Sequence, residues 1–338
     1  MSEAFLVGNN GVRFKRLRVP VPPDKTTYLY FNGTFYGGTD PDLTGAKIVA
    51  DIGRSEVTLT PDNYTYEMNI LSDTSAEFLV EATIGSTTKR VSIPLVLRTP
   101  DPILDNNSWR MISIVSAAGL AGEIWNIGDI KTETINGTLK SFRIIGFDHD
   151  YLDSSDSRYS DSSYNQDAYA DGKRYAGITF QTTEEWDKDK MNMSATNVGG
   201  WKTCLMRTNV MPAVYESFTD DMKAVIRTVN KRTAVYLESN NRDNMVDCAD
   251  EVFILAAKEL VGSNTSAPTI ENTELSQYEY YANGNPLPHD ETQPEWLRST
   301  HKVESCSSHE HFLYVKSGDR VEFTNANIYY DYYPAFCV

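Results

Sequence analysis

Eight of the twenty tyrosines fall in the last 61 residues, at Tyr278, Tyr280, Tyr281, Tyr314, Tyr329, Tyr330, Tyr332 and Tyr333. Serines, histidines, asparagines and an aspartate stand among them. Tyrosine brings a large amphipathic surface with few rotors to freeze, and the smaller polar residues add adaptable hydrogen bonds. That chemistry suits noncovalent recognition rather than bond making. The candidate contact residues are Tyr281, Trp296, Thr300, His301, Ser307, Ser308, His309, His311, Asn325, Asn327, Tyr329, Asp331 and Tyr332. The alternation over residues 328–333 would equally suit an ordinary strand with half of its tyrosines buried.

Other reactive residue types are present without a reactive pattern. Asp148, Asp150, Asp153, Asp156, Asp161, Asp167 and Asp171 lie in one stretch, and oxygen-rich loops of this kind can hold calcium. No EF-hand spacing is present, so a solvated loop is the expectation, with His149 as a structural contact. The five histidines, His149, His289, His301, His309 and His311, form neither HExxH nor a His-Cys zinc pattern. On a strand His309 and His311 would share one face, which a metal could use but a polar contact face explains more simply. Cys204, Cys248, Cys306 and Cys337 show no CxxC spacing, and four reduced, mostly buried thiols are expected. G-x-S-x-G, Walker A and dinucleotide fingerprints are absent. No catalytic residue and no cofactor is expected, calcium being the one ion the composition leaves open.

The elements that must position these residues divide the chain. Residues 1–23 read as an arm and linker, with Arg13, Lys15, Arg16 and Arg18 followed by Pro20, Pro22 and Pro23. Residues 24–100 read as an immunoglobulin-like β sandwich. Tyr64/Tyr66/Met68/Ile70, Phe78/Val80/Ala82/Ile84 and Val91/Ile93/Leu95/Leu97 alternate with period two between turn signals. Beyond Pro100 and Pro102 all five tryptophans appear. There Trp109 to Val115 and Phe142 to Phe147 read as strands, and Tyr215 to Val229 as the best helix. Phe218, Met222, Ile226 and Val229 give that helix one apolar face, and Thr219 is its candidate N-cap. A short helix or strand–helix unit is expected between Asp250 and Leu260, stopped by Gly262, and strands return after Tyr278. The fold class is α+β with few helices.

Charge narrows the partners. The formal net charge is -16, of which residues 1–108 contribute 10 basic against 13 acidic side chains, leaving 21 against 34 and so -13 for residues 109–338. A polyanion would gain no counterion release from such a protein, so nucleic acid is not an expected partner. No apolar run approaches the roughly 20 residues of a membrane span, and Met1 to Asn10 show no basic region followed by an apolar run, so a secretory signal is not expected.

An ordered set of short motifs runs through the C-terminal part. It comprises Trp125-Asn126-Ile127-Gly128-Asp129, Ile145-Gly146-Phe147-Asp148-His149-Asp150, Gly177-Ile178-Thr179-Phe180-Gln181 and Gly199-Gly200-Trp201 with Met206-Arg207. Phe253-Ile254-Leu255 with Glu259 and Gly262, Trp296-Leu297-Arg298-Ser299 and Pro334-Ala335-Phe336-Cys337-Val338 complete it. Over residues 109–338 it resembles a domain family of unknown function common in Firmicutes and their bacteriophages, itself similar to the C-type-lectin-like fold of sulfatase-modifying factors. One departure is Tyr332-Tyr333, where the family carries Val-Arg, so an arginine that braces the last strand is missing. The resemblance implies a lectin-like scaffold displaying a variable surface, in some phages diversified by mutagenic reverse transcription. It implies a tail-tip or receptor-binding protein of a virion, made in the host cytoplasm, or else a bacterial cell-surface adhesin. Its partners would be a bacterial surface protein or glycan and other tail subunits, and a homotrimer would suit a tail tip by analogy. A baseplate or decoration protein using the same face for subunit packing is the alternative, and an enzyme the third reading.

Overall fold

The computed structural model describes the backbone of the strands within residues 1–99. Beyond these it describes residues 100–117, 119, 121–159, 174–235, 244–288, 293–301, 310–316 and 320–338. Two compact units divide the chain, the first ending at Asp101 and the second beginning at Pro102.

The first unit is all strand where it is described. Its elements are β1 (Ala4–Leu6), β2 (Thr27–Asn32), β3 (Lys47–Ile52), β4 (Ser55–Leu59), β5 (Tyr64–Ser72), β6 (Ser75–Ile84) and β7 (Thr87–Leu97). They form two sheets, ordered β1-β7-β6-β5 and β2-β3-β4. The three period-two runs of the sequence become β5, β6 and β7. The expected arm is not wholly separate, because Ala4–Leu6 pairs in parallel with Leu95–Leu97.

The second unit is mixed α+β, with more strand than helix. It opens on α1 (Trp109–Ala117) and α2 (Ala121–Ile124), followed by β8 (Ile130–Ile135), β9 (Thr138–Phe147), β10 (Ile178–Thr182) and β11 (Asp187–Asp189). Next come α3 (Gly200–Thr203), a wide turn at Met206–Val210, α4 (Met211–Ser217) and α5 (Asp220–Lys223). Strands β12 (Val229–Val235), β13 (Asn244–Asp250) and β14 (Val252–Phe253) precede α6 (Ala257–Val261), α7 (Thr269–Glu274) and α8 (Glu279–Ala282). The chain closes with β15 (Glu295–Thr300), β16 (His311–Lys316), β17 (Arg320–Asn325), β18 (Tyr330–Tyr332) and β19 (Ala335–Cys337). Two five-stranded sheets, β14-β19-β10-β9-β8 and β11-β18-β15-β16-β17, stand beside the β12–β13 hairpin. Asn136 and Gly137, at φ 51° and 80°, close the β8–β9 hairpin in the left-handed conformation that a two-residue turn between twisted strands requires.

Three local expectations are corrected. Trp109 to Val115 is a helix, not a strand. Ser108 caps it by accepting from the Met111 amide at 3.2 Å, and Trp109, Ile112, Val115 and Ser116 bury one helical face. Tyr215 to Val229 is not one helix. Phe218, Met222, Ile226 and Val229 are all buried as the spacing requires, and Thr219 does cap, accepting from the Met222 amide. Being a cap in extended conformation, however, Thr219 ends α4 and starts α5, and the chain enters β12 at Val229. After Tyr278 the chain first forms α8, so Tyr278, Tyr280 and Tyr281 sit in packed helical turns rather than on strands. The strand–helix unit of β14 and α6, stopped by Gly262 at φ 79°, matches the sequence reading.

The core of this unit centres on the C-terminal strand. Phe336 lies 5.8 Å from Trp109, 5.3 Å from Phe142, 5.6 Å from Phe180 and 5.4 Å from Phe218, ring centre to ring centre. Most of these pairs meet edge to face or tilted, the arrangement that opposes ring edges to π faces. The terminal motif is therefore scaffold. Both β10 and β19 are buried along their whole length.

Candidate functional site

The motifs of the C-terminal part meet first in the interior. Asp150, Lys231, Glu259 and Arg298 come from four separate segments and are all buried. The Lys231 ammonium lies 2.5 Å from Asp150 Oδ1 and 2.9 Å from Glu259 Oε1. Arg298 grips Glu259 with both terminal nitrogens, one of them at 2.7 Å from Oε1. Its Nη2 also donates to the Arg232 carbonyl at 3.1 Å. Tyr278 donates to Asp150 Oδ2 at 2.7 Å, and Thr179 donates to the same oxygen at 2.6 Å. Two cations thus balance two anions, and each carboxylate is hydrogen-bonded as well as paired, the condition for holding charge in a low-dielectric interior. Cys337, 3.5 Å from Asp150, is buried among them, and burial, with the Asp150 charge adding, pushes its thiol well up. A protonated thiol is a poor nucleophile.

Burial alone would raise both carboxyls. At Asp150 burial is the largest single influence, but the Lys231 charge and hydrogen bond together with those of His149 outweigh it and hold the group well below the usual range. At Glu259 the Arg298 and Lys231 charges bring it down to about 2. This stability is present above the unfolded carboxylate pKa and is lost as pH falls towards the folded values. Glu295 behaves oppositely. Burial, with Asp331 adjacent across β15 and β18, raises its carboxyl well above the ordinary value. Its contribution is therefore present below the unfolded pKa and lost as pH rises through the folded one. The variant Glu295→Gln should raise the urea midpoint at neutral pH and flatten its decline on the alkaline side, leaving the acid limb unchanged. An unaltered pH profile would refute that assignment.

The acidic stretch is thus not wholly a solvated loop. Asp150 belongs to the buried network, and Asp156 is buried, accepting from the Thr228 amide at 2.8 Å. His149 stacks on Tyr278 at 3.8 Å and bonds Ser276, a structural contact. Asp161, Asp167 and Asp171 lie outside the described residues. Among the described residues no cluster of three or more His, Cys, Asp or Glu is arranged to hold a metal. Cys204, Cys248 and Cys337 are free and buried, while Cys306 lies outside the described residues.

The expected contact face separates into two groups. Tyr281, Trp296, Thr300, Asp331 and Tyr332 are buried, which corrects their expected exposure. Tyr281 donates to Gln181. Trp296 donates to the Asp189 carbonyl at 2.9 Å and packs against Tyr330. Asp331 is reached by Lys188 at 3.4 Å. Tyr333, at the position of the missing arginine, is also buried. These residues are walls of the scaffold. Ser307, Ser308 and His309 lie outside the described residues.

His301, His311 and Asn325 are half-buried beside β16 and β17, while Asn327 and Tyr329 are exposed on the turn after β17. The His301 ring stacks on Phe323 at 3.8 Å, with His311 at 5.1 Å from the same ring. Burial lowers the His301 pKa, the neighbouring His311 adding to the effect. Asn325 stands directly opposite His311 in the strand register. Phe323 is 47% exposed and Tyr329 59%, with Lys190 reaching over the Tyr329 ring at 5.2 Å. The neighbouring 192–198 segment is tied on from both ends. Asn192 donates its amide to the Ala326 carbonyl at 2.9 Å, and the Asn197 side chain donates to the His311 carbonyl at 2.8 Å. This brings two further exposed apolar residues, Met193 and Val198, to the same region as Ile328. Phe323, Ile328, Met193 and Val198 were not singled out by the sequence, where they read as ordinary strand and loop positions. Hydrogen bonds dock the 192–198 segment onto His311 of β16 and Ala326 of the turn after β17, which is what joins them.

Among the described residues no helix is long and apolar enough to cross a membrane. No curated protein and no solved structure matches the chain. From β10 to the C-terminal strand, over residues 174–338, the chain matches a family described as a domain of unknown function (DUF6273).

Proposed function

We propose that the second unit is a noncovalent recognition module whose contact surface centres on Phe323 and Tyr329, with His301, His311, Asn325, Asn327 and Ile328 around them. The carrying observation is the gathering of exposed aromatic and apolar side chains on a sheet end whose interior is otherwise closed. Scattered exposed apolar residues need no explanation, but a grouped set rimmed by polar residues marks an interaction site. The buried charges of Asp150, Lys231, Glu259 and Arg298 support the same reading, since they neutralise one another. Together with the resemblance noted in the sequence, this favours a lectin-like fold preceded by an immunoglobulin-like spacer. The protein would serve a phage tail tip or a bacterial surface, and bind a bacterial surface protein or glycan.

The double variant Phe323→Ala/Tyr329→Ala should weaken binding of the labelled protein to host cells by at least about thirtyfold, as for loss of an aromatic hot spot of roughly 2 kcal/mol. Circular dichroism and thermal midpoint should not change. Undiminished binding would sink the assignment of this face. Packing against a neighbouring subunit is the second reading, favoured by the position of β17 at the sheet edge. Sedimentation that shifts from oligomer to monomer in the same double variant would select it.

A further inference from the structure

Away from this face, a cleft of about 300 Å³ opens between the β12–β13 hairpin and the 151–159 segment. It lies at the lower end of the roughly 300–1,000 Å³ range of small-ligand pockets, so it suits one ring rather than a long chain. Its walls are fixed. The Asn230 amide donates to the Tyr151 carbonyl at 2.7 Å, and the Asp153 amide donates to the Thr228 carbonyl at 2.9 Å. Tyr151 is further held by stacking on Tyr175 at 4.5 Å.

The lining combines two kinds of group. Tyr159 is 38% exposed and offers an aromatic surface beside Tyr151. Asp153, Asn230, Arg232 and Asp247 supply planar polar ends around it. Arg232 is held by Glu274 at 2.9 Å and faces Asp247 across the hairpin at 3.5 Å, all three partly exposed and so able to exchange water for a ligand. The Asn230 side chain lines the cleft beside its backbone bond to Tyr151, which places its amide against an entering ligand.

We infer that this cleft binds a neutral hexose-sized saccharide, its apolar C–H face against the tyrosines and its hydroxyls on Asn230, Arg232 and Asp247. A sugar ring presents one apolar face and a rim of hydroxyls that both donate and accept. Carboxylate, amide and guanidinium groups engage adjacent hydroxyls in pairs. Two aspartates against one arginine leave the cleft net negative, which disfavours phosphorylated or carboxylated sugars. The site is independent of the Phe323–Tyr329 face.

Saturation-transfer-difference NMR on the full chain tests it, with glucose, galactose, N-acetylglucosamine and glucose 6-phosphate as probes at millimolar concentration. At least one neutral sugar should receive saturation at its ring C–H protons, and the phosphorylated one should not. Tyr159→Ala and Asp247→Asn should each weaken the response at least tenfold with circular dichroism unchanged, whereas Phe323→Ala/Tyr329→Ala should leave it intact. The proposal is overturned if no neutral sugar responds, if the phosphosugar responds as strongly, if the cleft variants respond like the parent, or if the Phe323/Tyr329 variant abolishes the signal.

Discussion

Replacing Lys231 with methionine should destabilise the second unit by about 3–5 kcal/mol, the usual range when one partner of a buried ion pair is removed. Lys231 is the only described cation that touches both Asp150 and Glu259. Methionine fills much of the same volume, and the Phe253 ring 4.2 Å away accepts an apolar neighbour, so the packing change is small. Charge therefore dominates the loss. Glu259 keeps Arg298, but Asp150 loses its ammonium partner and keeps Tyr278 and Thr179 as donors, with Cys337 at 3.5 Å and the His149 ring nitrogen at 3.7 Å. All five tryptophans lie beyond residue 108, so selectively excited tryptophan fluorescence during urea unfolding of the full chain reports on this unit alone. The double variant Asp150→Asn/Lys231→Met leaves Glu259 and Arg298 as a balanced pair. It should regain a substantial part of the loss, a positive coupling that simple cavity formation would not produce. A single-variant loss below about 1 kcal/mol would mean that the network contributes packing and not charge compensation.

Alanine at Gly177 should lower stability by about 2–5 kcal/mol, for two separable reasons. Gly177 has φ +97°, a conformation that an L side chain rarely adopts, and such strain is worth roughly 1–3 kcal/mol. An added Cβ would also lie 2.1 Å from Ser116 Oγ and 3.1 Å from the Ser116 carbonyl oxygen. Ser116 cannot swing away freely, because its hydroxyl bonds the Ala176 carbonyl at 3.1 Å and the carbonyl of Val338. Overpacking of this kind adds roughly 1–3 kcal/mol. Ser116→Ala/Gly177→Ala should relieve the hydroxyl collision but not the backbone strain, so its loss should be smaller than the sum of the two single losses. Additive losses would show that the collision does not exist. The contact also explains the glycine in the Gly177-Ile178-Thr179-Phe180-Gln181 motif. It lets α1, β10 and the chain end meet at one point.

What the sequence by itself determined is local. Period-two alternation located β5, β6 and β7, because a strand's faces differ in environment and its residues record it. Thr219 and Gly262 announced a helix start and stop, since a side-chain acceptor and a left-handed backbone are requirements of the nearest few residues. Composition pointed to recognition by tyrosine, histidine and asparagine, and net charge argued against a polyanionic partner. Trp109 to Val115 misled because its apolar run satisfies a buried helix as well as a strand, and Ser108 alone separated the two.

Only the tertiary structure decided which tyrosines are wall and which are surface. Tyr332 and Tyr329 have the same chemistry three residues apart, yet one is buried and the other more than half exposed, because Tyr332 lies in β18 between β11 and β15 while Tyr329 lies in the turn after β17. The pairing of Asp150 with Lys231 and of Glu259 with Arg298 was likewise invisible. Coulomb energy depends on separation in space and on the dielectric around the pair, and neither is written in the spacing of four segments that folding brings together.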